Sequence, residues 1–242
     1  MIEKNAIPTS HADDGRKPRS DGEQSRERLL HSAIRLFAEQ GYANTSTREL
    51  AQAAGTNVAA ISYYFGDKAG LYRAVFAQFA VDPQVKIARY DQPHFTFRQC
   101  LEGYYAQLLA PMLQGDLARN CLRLWFREVL EPTGLWAREL ERNIRPEHEA
   151  LTSVLARHLG APGDSDDMHR LAFAVASMAL QQMIGGDMLR ALRPQLLAMP
   201  QASEVWLARM VDYALAMAEV ERQRLHPSSS GDTTDTSDTS QG

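Results

Sequence analysis

The stretch TNVAAISYYFGDKAGLY, residues 56–72, decides how this 242-residue chain is read. Asn57 is a good helix cap, the helix it opens runs to Phe65, and Gly66-Asp67 breaks it and caps the next. Immediately upstream, STRELAQAAG at 46–55 places Ser46 and Glu49 at capping-box spacing ahead of Leu50, Ala51 and Ala54, and Gly55 stops that helix. When two short helices cross steeply, the first needs a small residue at the crossing, the turn needs glycine, and the second needs an apolar residue pointing back. Ala51, Gly55 and Ile61 meet those demands in order, so the pair is expected to be a helix-turn-helix.

With Ile61 turned inward, the outward face of the second helix carries Asn57, Ala59, Ala60, Ser62 and Tyr63, while Tyr64 and Phe65 fall on the core side. A helix lined by small residues can approach the floor of the DNA major groove, where methyls and a serine meet base edges. A phenol at its end, Tyr63, reaches a phosphate or sugar, and Lys68 adds charge near the N-terminus of the following helix. Thr45, Ser46 and Thr47 are placed to hold phosphates on the other side. The competing reading of the same letters is an alanine-rich core helix ending in two aromatics. The joint pattern of capping box, Ala, Gly, Ile, aromatic pair and Lys favours the reading head.

Outward from this centre, nearly everything reads as helix, because apolar residues recur at three- and four-residue steps and no alternating β-branched run appears. Ser25 is a plausible cap for a first helix with the stripe Leu29, Leu30, Ala33, Ile34, Phe37 and Ala38, ending near Gly41. After Phe79 the prolines at 83 and 93 mark a joint. Longer helices are expected at about 95–114, 118–130, 135–158, 167–192 and 202–224, with Pro111 and Pro146 as kink points. The fold class is therefore all-α: a helix-turn-helix domain at 23–80 and a helical bundle at 81–225. The flanks, 1–22 and 226–242, are too polar to offset their ordering entropy and are expected to be disordered. GRKPR at 15–19 is either a basic arm on DNA or a solubilising tail.

Composition bounds the function. The net charge is −4, yet residues 16–80 hold nine Lys/Arg against six Asp/Glu, so a basic module is hidden in an acidic chain. Cys100 and Cys121 lack CxxC spacing, no secretory leader is evident, and the longest apolar segment, around Leu171 to Leu180, is interrupted by Ser177. A soluble, cytoplasmic protein with no membrane partner is expected. His148, between Glu147 and Glu149, and His158 give no metal-binding spacing and read as a solvated face. No metal, cofactor or nucleophile signature appears, so the chain is not expected to be an enzyme.

TSTRELAQAAGTNVAAISYYFGDKAGLY resembles the N-terminal DNA-binding domain of the TetR/AcrR family of transcriptional regulators, over roughly residues 25–76. LRLWFREVLEPTGLW, residues 122–136, resembles the segment of a subgroup with a CerR-type C-terminal domain, through Arg127, Glu128, Leu130, Pro132 and Thr133. The resemblance implies a homodimeric repressor on a palindromic double-stranded operator, whose C-terminal bundle pairs the subunits and encloses a pocket for a small lipophilic inducer. Seven of nine methionines fall in 168–217 and suit such a pocket or an ordinary core. Tyr104, Trp125, Phe126, Arg127, Gln182 and Met183 are the pocket candidates. Phe173, Ala176, Leu180 and Ile184, with Trp206, Met210, Tyr213 and Met217, form two stripes for the dimer interface or for the subunit's own core. Two alternatives stay open: a DNA-binding regulator that takes no small molecule, and an all-helical ligand carrier or enzyme.

Overall fold

A computed structural model describes residues 21–78, 81–113, 115–198 and 201–227; the basic stretch at 15–19 and most of the polar tail lie outside them. Among the described residues every regular element is helical, with no strand. Helix α1 (Asp21–Gln40) starts four residues before the expected cap. Asp21 and Glu23 occupy its first turn, where carboxylates suit the helix dipole, and Ser25 lies inside it, accepting from Arg28 Nη2 at 2.9 Å. Asp21 and Gly22 are thus helix rather than arm.

Helices α2 (Thr47–Ala53), α3 (Val58–Phe65) and α4 (Lys68–Ala77) begin at the caps the sequence provides. Ser46 and Glu49 form the reciprocal capping box, Asn57 accepts from Ala60 N at 2.9 Å, and Asp67 accepts from Gly70 N at 2.6 Å. Gly55 adopts φ +61°, a left-handed turn that glycine takes without strain. Leu29, Phe37, Leu50, Ile61, Leu71 and Val75 close one core, with Tyr64 and Phe65 packed at its margin.

Beyond the joint come a short α5 (Pro83–Ile87), opened by Asp82 and absent from the sequence reading, and α6 (Phe97–Leu113), which carries Pro111. Then follow α7 (Asp116–Leu130), α8 (Trp136–Glu139), a π-helical turn (Leu140–Ile144) and α9 (Arg145–Leu159). The single helix expected at 135–158 is thus widened midway: Pro146 in the first turn of α9 brings no N–H to the ladder, and the preceding turn closes with π spacing. Helix α10 (Asp166–Ile184) is capped by Ser165 and ends at Gly185, so the expected helix at 167–192 is divided into α10 and α11 (Gly186–Leu192). Helices α12 (Gln195–Ala198) and α13 (Ala202–Leu225) complete the bundle, whose core gathers Tyr90, Leu101, Tyr105, Leu155, Val175 and Val211. Tyr105 donates to Val175 O at 2.9 Å, which ties α6 to α10. Among the described residues no helix is long and apolar enough to cross a membrane.

His148 and His158 are not on a solvated face. The His148 and His169 rings stack, with Nε2 of the first 2.8 Å from Nδ1 of the second, and Phe173 stacks on His148 at 4.5 Å. His158 stacks on Phe97 at 4.9 Å. Burial, reinforced by His169, holds His148 below the usual imidazole value, and burial with Arg157 does the same to His158. The unfolded chain therefore binds more protons than the native one just below an ordinary histidine pKa, about 6.5. Stability is expected to be full above that pH and to fall as pH drops toward the native values. Thermal melts at pH 7.5 and 5.5 check this: the downward shift in midpoint should shrink in H148Q, and an equal shift in both proteins would contradict the assignment.

Candidate nucleic-acid interface

The exposed edge of α3 is built by its packing. Ile61 is buried against Leu50 and Ala51, which turns Asn57, Val58, Ala59, Ser62 and Tyr63 to solvent. Tyr63 is 82% exposed and stands edge-on to Tyr64, its ring centroid 4.8 Å away. Val58, 45% exposed, belongs to this surface and was not singled out from the sequence; it precedes Ala59 in the first turn of the helix. Ala60 is half buried, its methyl packed on the core margin, so its share of the outward face is smaller than the pattern suggested.

Three flanking residues are differently placed. Thr45 is 1% exposed and its hydroxyl donates to Gly41 O at 2.7 Å, so it closes the α1–α2 turn and cannot meet a phosphate. Ser46 is exposed, but its hydroxyl already donates to Glu49 Oε2 at 2.8 Å and accepts from Glu49 N at 3.1 Å. The Ser46 backbone N–H, which donates to Glu49 Oε2 at 2.8 Å, and then the Ser46 hydroxyl hold the Glu49 carboxyl below its ordinary value, with Lys68 assisting. Thr47 is half buried at the start of α2. The Lys68 ammonium sits 4.3 Å over the Tyr42 ring; burial lowers its pKa, and Glu49 opposes that shift. Lys68 is therefore held against an aromatic face rather than free to sweep solvent.

The six pocket candidates are not brought together. Tyr104 is in the C-terminal core against Tyr90 and Tyr105, and burial raises its phenol pKa. Arg127 faces the other way: Nε donates to Ala38 O and Nη2 to Glu39 O, both at 3.0 Å, so it serves the C-terminal end of α1 and is no ligand anchor. Gln182 is buried and donates to Gln181 Oε1, while Met183 is half buried and Phe126 stands edge-on to Trp125. Trp125 alone of the six lines a cleft of about 110 Å³, together with Phe76, Val81, Lys86, Cys121, Leu124, Glu139 and Asn143. A volume of this size holds a fragment or waters, well below the several hundred Å³ of a drug-sized site.

The two stripes also divide. Phe173 and Ile184 are 66% and 62% exposed and Tyr213 is 54% exposed, so these are free faces of α10 and α13. Met210 is buried in the subunit's own core, Ala176 and Met217 pack against it, and Leu180 and Trp206 are half buried. A stripe at three- and four-residue spacing wraps more than one side of a helix, and sequence spacing alone does not say which side meets a partner.

Burial raises both thiols, Cys121 up to about 12, so neither is the thiolate a nucleophile requires. Among the described residues no cluster of three or more His, Cys, Asp or Glu could hold a metal ion.

Residues 29–75 match the N-terminal domain described as bacterial regulatory proteins, tetR family. Residues 97–219 match the C-terminal domain of the HTH-type transcriptional dual regulator CecR; the subgroup's name is CecR, not CerR. The chain is 30% identical over 158 residues to the HTH-type transcriptional dual regulator CecR of Shigella flexneri, covering 61% of this chain and 70% of the relative. Among solved structures it resembles NalD, the secondary repressor of the MexAB-OprM multidrug efflux pump in Pseudomonas aeruginosa. That likeness has a TM-score of 0.56 and 23% identity, over 80% of this chain and 97% of that one. It also resembles a SmeT–triclosan complex, with a TM-score of 0.55 and 16% identity, over 78% and 90% of the two chains. These likenesses establish the fold, and the two domain matches establish the kinship. The chain belongs to the TetR family of bacterial regulatory proteins, with a CecR-type C-terminal domain, and is a DNA-binding transcriptional regulator.

Proposed function

We propose that this regulator is a cytoplasmic, dimeric repressor that reads a palindromic operator through α3 and is released by a small lipophilic molecule. The observation that carries the reading is the outward edge of α3, where small side chains at 59 and 62 end in the exposed phenol of Tyr63. Asn57, Ala59, Ser62 and Tyr63 are the contacts we assign to DNA, with Thr47, Lys68 and the rim of Ala60 beside them. Ser46 joins them only if its capping bond is shared. The exposed apolar residues Phe173, Ile184 and Tyr213 lie on α10 and α13, two helices that pack against each other, and suit a pairing surface. A ligand is supported by the Trp125 cleft and by Gln107 on α6, whose buried amide nitrogen and oxygen have no hydrogen-bond partner. The SmeT structure, which holds triclosan, makes an aromatic ligand a reasonable first probe.

The name of the CecR relative favours a second reading, in which the same protein represses at some promoters and activates at others. Footprints placed relative to the transcription start would separate the two. A regulator without a ligand is the reading that survives if no probe alters DNA binding.

The direct test is fluorescence anisotropy on labelled DNA from upstream of the coding region, with a scrambled duplex as competitor. Saturable binding with two subunits per site supports the reading; equal binding to both duplexes contradicts it at this operator. Removing one hydroxyl in Y63F is expected to weaken operator binding by about 1.5–3 kcal/mol, the worth of a hydrogen bond to a charged phosphate. Unchanged affinity would mean that the Tyr63 phenol does not touch the backbone.

A further inference from the structure

Helix α7 belongs to the C-terminal half in sequence, yet its packing is with the reading unit. Leu124 is buried in the N-terminal core, and α7 lies along α1. Four residues on, the same buried face presents Glu128, which is 1% exposed and is the charged member of the buried polar group among the described residues. A carboxylate removed from water is costly unless its lone pairs are filled. Here they are: Tyr72 OH on α4 donates to Oε2 at 2.9 Å, and Thr133 Oγ1 lies 2.9 Å from the same oxygen. Thr133 N and Trp136 N donate to Oε1 at 2.9 and 3.2 Å.

An apolar residue of similar size would pack two helices as well as this carboxylate or better. What the carboxylate adds is direction, because its donors come from two places that must both be in register. One is α4, which leads directly from the reading helix; the other is the turn between α7 and α8. That turn adjoins the cleft: the Trp136 ring is 5.9 Å from Trp125, which lines it.

We propose that Glu128 is a positioning residue that sets the pose of α3 and α4 on the C-terminal half through Tyr72. In this scheme the filling of the Trp125 cleft is reported to DNA by moving Trp136 and Thr133 away from the carboxylate. The cleft contents change the α7–α8 turn, the turn releases or holds Glu128, and Glu128 holds or frees Tyr72. The proposal deepens the ligand-responsive reading above and rests on it.

Two variants of the full chain test it, each deleting one hydroxyl at nearly constant shape. Y72F keeps the ring against Phe37, Tyr42 and Phe76, whose centroids lie 5.0, 4.8 and 5.2 Å away. T133V acts from the other side of the carboxylate. Without DNA, each is expected to speed amide exchange across Lys68–Ala77. With DNA, each is expected to lower operator affinity about tenfold, an ordinary size for coupling between sites. Binding to the scrambled duplex should be unchanged, and the double variant should lose little more than either single, because both act through one group. Unchanged exchange, a loss shared equally by both duplexes, or fully additive losses would each overturn the proposal. A wild-type chain with no operator preference would be a failure of the regulator reading, and the exchange data would still decide whether Glu128 holds α4.

Discussion

Alanine at Gly70 is expected to destabilise the reading unit by about 3 kcal/mol and to abolish operator binding. Helix propensity argues the opposite, since alanine is favoured over glycine by about 1 kcal/mol in a helix interior. Contact decides the sign. A Cβ at Gly70 would overlap the carbonyl oxygen of Phe65 and lie 3.0 Å from its carbon. The obstacle is backbone at the end of α3, which cannot rotate away as a side chain can. Nor can α4 withdraw easily: Asp67 Oδ1 holds Gly70 N at 2.6 Å, and Leu71 and Val75 are fully buried one and five residues later. Relief therefore requires prising α3 from α4, which displaces the helix that carries Tyr63. For a chain of this size the loss corresponds to a melting shift of about 6–12 °C. Thermal unfolding of G70A beside A69G as a control would check it, and an unchanged or raised midpoint in G70A would show that the α3–α4 approach is looser than described.

Glutamate at Ala59 is expected to do the reverse: to leave folding alone and remove DNA binding. Ala59 is exposed on α3, and glutamate is nearly as good a helix former as alanine, so stability should stay within about 0.5 kcal/mol. In the groove, however, a carboxylate would stand among phosphates without a cation to pair it, and like-charge juxtaposition at an interface costs several kcal/mol. Operator affinity should fall about a hundredfold or more, some 3 kcal/mol. A59Q, equal in size and uncharged, should lose clearly less. If A59E binds the operator as wild type does, α3 is not the element that enters the groove.

Much of the reading unit was legible because its determinants are local. The capping box at Ser46 and Glu49, the caps at Asn57 and Asp67, and the left-handed Gly55 each involve groups within a few residues of one another. A spacing in sequence is then already a distance in space. The C-terminal half was legible only in outline. Pro146 was expected to kink its helix and a π-helical turn does precede it, but the π spacing and the break at Gly185 were not anticipated, since the form an interruption takes depends on what packs around it.

Residue type and sequence neighbours mislead at Arg127 and His148 because the partners are remote: carbonyls 89 and 88 residues away for Arg127, and a ring 21 residues on for His148. Thr45 differs: its partner, Gly41 O, is only four residues back, and what spacing does not show is that the side chain is buried, 1% exposed. Glu128 had a visible signal that was not used: it follows Leu124 by four residues, so a carboxylate sits on the apolar face of its helix.

By itself, then, the sequence determined the helical class, the helix-turn-helix with the outward side of α3 and the kinship, because caps, turns and periodicity are short-range and survive without knowledge of the rest. Only the tertiary structure decided that α7 completes the N-terminal core, that Arg127 and Glu128 face the reading unit instead of a ligand, and that Met210 turns inward while Phe173 and Tyr213 turn out. A helix offers several sides to its surroundings, and which side is buried is settled by the partner it packs against, a fact no spacing within the helix contains.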